Sequence, residues 1–218
     1  MYRFDLLTIF PDIYNSYLGE SILKRARKNK LIDVQIHNIR DYATDKHHTT
    51  DDRPYGGGPG MVMKVEPIYR CLKSIRRKKK ARTILLSAKG KTFDHKMAQS
   101  YAKKYNHLIL IAGHYEGVDE RIMHYVDEEI SIGNYVLTGG ELPSLVITDA
   151  VTRLIPGVLG DSTSTTEESH STTGYLEYPQ YTRPETFKGK RVPNELLSGN
   201  HKEIKAWRTG KSAQRTNS

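Results

Sequence analysis

Three stretches of the 218-residue chain combine residue types that could bind a small ligand and act on it. The first is Asp51-Asp-Arg-Pro-Tyr-Gly-Gly-Gly-Pro-Gly60. Its glycines allow positive φ and close backbone approach. Exposed amides there could meet a phosphate or a base, and a plain surface turn would read the same way. The second is Gly113-His-Tyr-Glu-Gly-Val-Asp-Glu-Arg121, directly after an apolar run. Glu116 and Asp119 could face a cationic ligand, with Arg121 pairing with one of them; a solvated turn leading into a helix is the competing reading. The third is Ser131-Ile-Gly-Asn-Tyr-Val-Leu-Thr-Gly-Gly-Glu-Leu-Pro143. Apolar Ile132, Tyr135 and Leu137 next to bare glycine backbone would suit an adenine pocket, and would equally suit an ordinary strand, turn and helix.

Other chemistries fit poorly. Gly90-Lys91-Thr92 ends like a P-loop, but Leu85 stands where that motif needs glycine. No Gly-x-Gly-x-x-Gly follows an apolar run, so the usual dinucleotide fingerprint is missing. His47 and His48 are adjacent, and the one cysteine, Cys71, has no second thiol to complete a zinc site. No metal site is therefore expected.

The elements that must position these stretches follow from periodicity. Short strands are predicted over residues 5–10, 31–36, 83–87 and 107–112, with a further extended segment over 130–137. Helices are predicted over 21–29, with Ser21 as N-cap, and over 66–79, 94–105 and 142–155, the last stopped by Pro156. Residues 44–60 read as a long functional loop. Strands alternating with helices argue for an α/β domain with a mainly parallel sheet over residues 1–160. In Asp161–Thr173 nine of thirteen residues are Ser or Thr, so residues 161–176 read as a flexible linker. Residues 177–218 form a small basic segment, expected to be helical around 200–208.

Charge divides in the same way. The net charge is +9, and from Tyr181 to Ser218 nine Lys or Arg face three Glu. From His107 to Pro143 seven acidic residues face one arginine. A basic tail beside an acidic middle suggests that one part holds a polyanion and the other something small and cationic. A lone cysteine suits a reducing cytosol, and no apolar run is long enough to span a membrane.

Taken together, the Asp51–Met61 stretch, Gly113-x-Tyr-Glu-Gly-Val-Asp-Glu-Arg, Ser131-Ile-Gly-x-Tyr-Val-Leu-Thr-Gly-Gly-Glu-Leu-Pro, Ile155-Pro-Gly-Val-Leu-Gly and Tyr181-Thr-Arg-Pro resemble the bacterial tRNA (guanine-N1)-methyltransferases. The likeness runs in order through nearly the whole chain. It implies a SPOUT fold, in which an α/β domain carries a C-terminal trefoil knot, followed by a small helical domain. It also implies a cytoplasmic homodimer acting on the tRNA anticodon stem-loop, not on DNA, with S-adenosylmethionine as methyl donor. A divalent ion is admitted as a helper, with no residue assigned to it. The matching cofactor positions are Leu86, Ser87, Gly113, Glu116, Ile132, Gly133, Asn134, Tyr135, Val136, Leu137, Gly139 and Gly140.

The implied reaction sets its own requirements. Guanine N1 carries a proton at neutral pH, so a base must remove it as the methyl arrives. Negative charge then develops on O6, where an arginine helps. Arg153 matches the family's catalytic arginine. The family's base is an aspartate in a Glu-Asp-Ser sequence, and here Glu167-Glu168-Ser169 stands in its place. Glu168 is thus the expected base, one methylene longer, with Glu167 as the alternative. Ala88 also stands where the family usually has proline, and the chain stops at Ser218 where relatives continue. A relative that grips tRNA but has lost useful catalysis at Glu168 is the competing function. A ribose 2′-hydroxyl methyltransferase is a third, disfavoured by the guanine-N1 motifs.

Overall fold

The computed structural model describes residues 1–160, 168–172 and 174–214. Two compact units divide the chain, residues 1–160 and 161–218. In the first unit, strands β1 (Tyr2–Thr8), β2 (Ile32–Asn38), β3 (Asp51–Asp52), β4 (Val62–Met63), β5 (Ala81–Thr92), β6 (His107–Ala112) and β7 (Glu128–Ser131) alternate with helices. Those helices are α1 (Ile13–Leu18), α2 (Ser21–Lys28), α3 (Val65–Ser74), α4 (His95–Lys104) and α5 (Glu141–Thr152). Five strands form one sheet in the order β2-β1-β6-β5-β7, and every pairing in it is parallel. The unit is the expected mixed α/β body.

Alternation along the strands builds two apolar layers. Phe4, Leu6, Ile84, Leu86, Leu108 and Leu110 pack with α1, α2, α4 and α5. Leu7, Leu85, Ile109 and Ile111 pack on the other face with α3 and two 3₁₀ turns, Ile39–Tyr42 and Glu120–Tyr125. Covered on both faces, β6 is buried at every residue, which is why His-Leu-Ile-Leu-Ile-Ala reads as one apolar run.

Several element boundaries differ from expectation. The helix expected over 66–79 ends at Ser74, because Ile75 turns extended (φ −79°, ψ 121°) and buries its side chain. The extended segment expected over 130–137 stops at Ser131, whose hydroxyl accepts from Gly133 N–H (3.2 Å) and donates to Gly133 O (2.9 Å), turning the chain. At α2 the capping residue is Glu20, not Ser21, and no side chain closes the first turn. Asp94, by contrast, caps α4 by accepting from Met97 N–H at 2.7 Å.

The second unit contains β8 (Tyr175–Leu176), β9 (Thr186–Phe187), β10 (Lys190–Arg191), α6 (Asn194–Leu197), α7 (His201–Lys211) and β11 (Ala213–Gln214). Asn200 caps α7 by accepting from the N–H groups of Lys202 and Glu203.

Candidate active site

Strands β6, β5 and β7 are neighbours, and their carboxyl ends open on a cavity of about 410 Å³. Open parallel sheets bind ligands at this edge. Of the positions expected to meet a cofactor, Leu86, Ser87, Gly113, Glu116, Ile132, Tyr135, Val136, Leu137, Gly139 and Gly140 line the cavity. Gly133 and Asn134 lie on the same turn but outside its wall.

Glycines let the walls approach one another. Gly140 N–H donates to Gly113 O at 2.7 Å, joining the start of α5 to the end of β6. A Cβ on Gly140 would lie 2.7 Å from Ala112 Cα and 2.9 Å from Gly113 N, closer than packed atoms come. Gly90, which in the sequence only ends a rejected P-loop match, works the same way. Leu86 and Lys91 both pair with Ile130, so residues 87–90 leave the ladder and return along the cavity. A Cβ on Gly90 would lie 2.5 Å from Ile130 N.

The loop after β6 is stitched to the segment after the glycine run. Glu116 N–H donates to Met61 O (3.1 Å), Met63 N–H to Gly117 O (2.9 Å) and Asp119 N–H to Met63 O (2.9 Å). Gly60, at φ +73°, leaves the space that the Glu116 side chain fills. The preceding Gly56, Gly57 and Gly58 take positive φ; a Cβ on Gly56 or Gly57 would meet nothing and one on Gly58 only Pro54 Cγ at 4.0 Å, so this part of the run is an open surface turn.

The acidic pair divides its tasks. Asp119 binds Arg121 through two side-chain hydrogen bonds of 2.6 and 2.9 Å. That contact holds the Asp119 carboxyl below the usual carboxylate range. Glu116 is left as the carboxylate in the cavity wall, where Glu129 joins it.

Behind the wall lies a buried polar group that the sequence did not announce. Glu141, the first residue of α5, is 3% exposed and accepts from Thr8 Oγ at 2.8 Å. Thr8 Oγ in turn accepts from Phe10 N–H at 2.9 Å. His114 lines the cavity with its Nδ1 buried 3.6 Å from Glu141, beyond hydrogen-bond reach. The only signal for this group in the sequence is a charged residue and a histidine beside glycines.

Arg153 is the C-cap of α5. It follows Leu142 and Val146 at helical spacing, and both of those are exposed, at 57% and 45%. The exposed faces of α1 and α5 adjoin, since the Tyr17 hydroxyl donates to Asp149. Glu168 belongs to the second unit, where its carbonyl accepts from Ser171 N–H at 3.0 Å. Glu167 lies outside the described residues. Among the described residues no group of three or more His, Cys, Asp or Glu is placed to hold a metal ion, and no helix is long and apolar enough to cross a membrane.

The second unit has its own groove, of about 910 Å³, lined by Tyr175, Tyr178, His201, Lys205 and Arg208 among others. The Arg208 guanidinium lies 4.9 Å from the centroid of the Tyr178 ring. Cationic and aromatic side chains together suit phosphates and unstacked bases.

A parallel sheet with a glycine-walled cavity beyond the ends of its central strands defines an α/β protein built to hold a small organic ligand there. The family is more specific. Residues 2–218 match the model of the tRNA (guanine-1)-methyltransferase TrmD family, and the chain belongs to that family. It is 53% identical over 216 residues to a tRNA (guanine-N(1)-)-methyltransferase of Dictyoglomus turgidum, covering 99% of this chain and 87% of the relative. The protein of the same name from Carboxydothermus hydrogenoformans is 54% identical over 215 residues, with 98% and 84% covered. That of Bacillus cereus strain AH820 is 50% identical over 217 residues, with 98% and 88% covered.

Proposed function

We propose that this protein transfers the methyl group of S-adenosylmethionine to N1 of the guanosine 3′ of the anticodon, position 37, in tRNA. The observation that carries this reading is the strand-end cavity, whose walls hold most of the positions that match the family's cofactor site. Its volume falls within the range of small-molecule sites, about 300–1,000 Å³. Ile132, Tyr135 and Leu137 supply apolar surface for an adenine, the glycine backbone supplies hydrogen bonds, and Glu116 supplies charge opposite a cationic centre. When bound, S-adenosylmethionine supplies an electrophilic methyl group on a sulfonium.

The chain's own residues do the rest. The Glu168 carboxylate accepts the N1 proton as N1 bonds to the methyl carbon and the carbon–sulfur bond breaks. Arg153 offsets the negative charge that develops on O6. The groove of the second unit, with Lys205 and Arg208, grips the tRNA backbone, aided by Lys211 and Arg215, the last of which lies outside the described residues. The trefoil knot belongs to the same reading, supported by the contact between the loops after β6 and β7, where His114 bridges Gly139 and Gly140 N–H donates to Gly113 O. So does a homodimer, supported by the exposed apolar stripe of Leu142 and Val146 beside Ile13 and Tyr17, and so does a cytoplasmic location, which goes with the tRNA substrate.

The test is methyl transfer from labelled S-adenosylmethionine to tRNA transcripts with guanosine at position 37, comparing wild type, Glu168→Gln and Glu168→Asp. Wild type is expected to be active. Loss of the base should cost about 10²–10⁴-fold in Glu168→Gln. An inert wild type restored by Glu168→Asp would make the protein a tRNA-binding relative with a disabled base.

A further inference from the structure

The run Arg76-Arg77-Lys78-Lys79-Lys80 takes no part in the function proposed above. It sits at the amino edge of the sheet, immediately before β5. The other strands place it in a row. Asn106 N–H donates to Lys80 O (3.1 Å), Arg3 N–H to Asn106 O (3.0 Å) and Tyr2 N–H to Leu31 O (2.9 Å). The entries to β5, β6, β1 and β2 therefore lie side by side, in sheet order. Each entry is positive: the 76–80 run before β5, Lys103 and Lys104 before β6, the chain's amino group before β1, and Lys28 and Lys30 before β2. At about 4.8 Å between strands the row is about 15 Å long. It lies about 20 Å, the length of β6, from the strand-end cavity.

Helix dipoles do not account for so much charge. Helices α2, α3, α4 and α5 end toward this edge, and each end carries about −0.5 charge, roughly −2 together. Asp5, Asp33, Asp127 and Glu128 are the nearby carboxylates; Asp5 pairs with Arg3 at 2.7 Å, Asp127 with Arg77 at 3.0 Å and Glu128 with Arg82 at 2.8 Å. Nine basic side chains outweigh these terms. Among the described residues Lys28, Lys30, Arg76, Lys79, Lys80, Lys103 and Lys104 form no ion pair, and all are exposed. Along the row Met1 is the only large apolar side chain that is exposed. Protein interfaces have an apolar core and are poor in lysine. A row of lysines without apolar anchors instead fits phosphates, which it would contact without reading sequence.

We propose that the amino edge of the sheet is a second RNA-backbone binding surface, separate from the site of methyl transfer. It binds phosphodiester RNA through the unpaired lysines before β5 and β6 and those around the entry to β2. This surface does not depend on which reaction the cavity supports.

The experiment compares Lys79→Gln/Lys103→Gln/Lys104→Gln with a control that removes the same charge elsewhere, Lys24→Gln/Arg70→Gln/Lys96→Gln. The probe is a fluorescent tRNA transcript with adenosine at position 37, so that methyl transfer plays no part in the readout. Anisotropy titrations are run between about 50 mM and 200 mM salt. The edge variant is expected to raise Kd about tenfold at the lower salt and to reduce the slope of log K against log salt by about 2 to 3, while the control changes Kd by less than about threefold. Equal melting temperatures would show that both variants fold. The proposal is overturned if the edge variant matches the control, or if poly-glutamate displaces the labelled RNA as well as unlabelled RNA does, which would assign the surface to acidic protein. Absence of methyl transfer by the wild type would count against the proposed function and leave this result standing.

Discussion

At its carboxyl end β6 runs into Gly113, whose carbonyl accepts from Gly140 N–H. At its amino end the same strand starts with His107, clamped on Asp5. The carboxyl edge is built from backbone held close by missing side chains, leaving a cavity. The amino edge is built from buried charge, with a basic rim outside. Catalytic scaffolds need the first construction, because backbone groups fixed by packing present hydrogen bonds without losing side-chain entropy. The second closes the core and leaves solvated charge for a large polyanion.

The largest test of this contrast is Gly140→Ala. The new Cβ would meet the Ala112 and Gly113 backbone at 2.7 and 2.9 Å, so α5 must lift away from β6. Overpacking of this kind costs about 1–3 kcal/mol of stability. A shift near 1 Å in the cavity wall should cost roughly a hundredfold in methyl-transfer rate. Gly160→Ala, where a Cβ meets nothing, is the control. Stability by urea unfolding and affinity for S-adenosylhomocysteine by calorimetry should both fall for Gly140→Ala alone. Unchanged affinity would show that the junction of α5 and β6 does not shape the ligand site.

The amino edge is tested at Asp5. Burial pushes its carboxyl pKa up, but hydrogen bonds from His107, His37 and Arg3, with the Arg3 charge, prevail and hold it well below the carboxylate range. Lys78 N–H donates to His107 Nδ1 at 3.2 Å, so the ring proton is on Nε2, toward Asp5. Asp5→Asn should cost about 3 kcal/mol or more at pH 7, since it leaves a buried network without its charge. With a depressed folded pKa, Asp5 contributes fully above its unfolded pKa of about 4, and the contribution is lost as pH falls from there toward the folded value. The gap between wild type and variant should therefore narrow below about pH 4. A gap independent of pH down to acid unfolding would show that Asp5 acts by shape and not by charge.

The two edges also differ in how far sequence reveals them. The strands ending at the cavity were legible, because Ile84–Leu86 and Leu108–Ala112 are apolar runs bounded by polar residues, and the glycines after them stand out. Gly90 was not legible: its need arises only where β5 returns against Ile130, a contact between distant segments. The Asp5 group was hidden too, because its partners His37 and His107 lie on other strands. Boundaries failed where tertiary contacts override periodicity. Ile75 leaves a helical pattern to fill the core, and the Ser131 hydroxyl turns a chain whose residues favour a strand.

The smallest effect is expected at Asp94, and it asks whether the carboxyl edge is one unit. Helix α4 begins just after β5 completes its detour, and it packs Ala98 and Tyr101 into the core beside Leu145 of α5. The Asp94 cap satisfies one backbone donor in the first turn, and its removal in Asp94→Ala should cost about 1 kcal/mol. For a chain of this size that is a drop of roughly 2–4 °C in melting temperature. Asp94 lies outside the cavity wall, so affinity for S-adenosylhomocysteine should not change. If it falls together with the melting temperature, fraying of α4 reaches the ligand through the returning segment 87–92. The cavity would then depend on the helix behind β5 as well as on the glycines that line it.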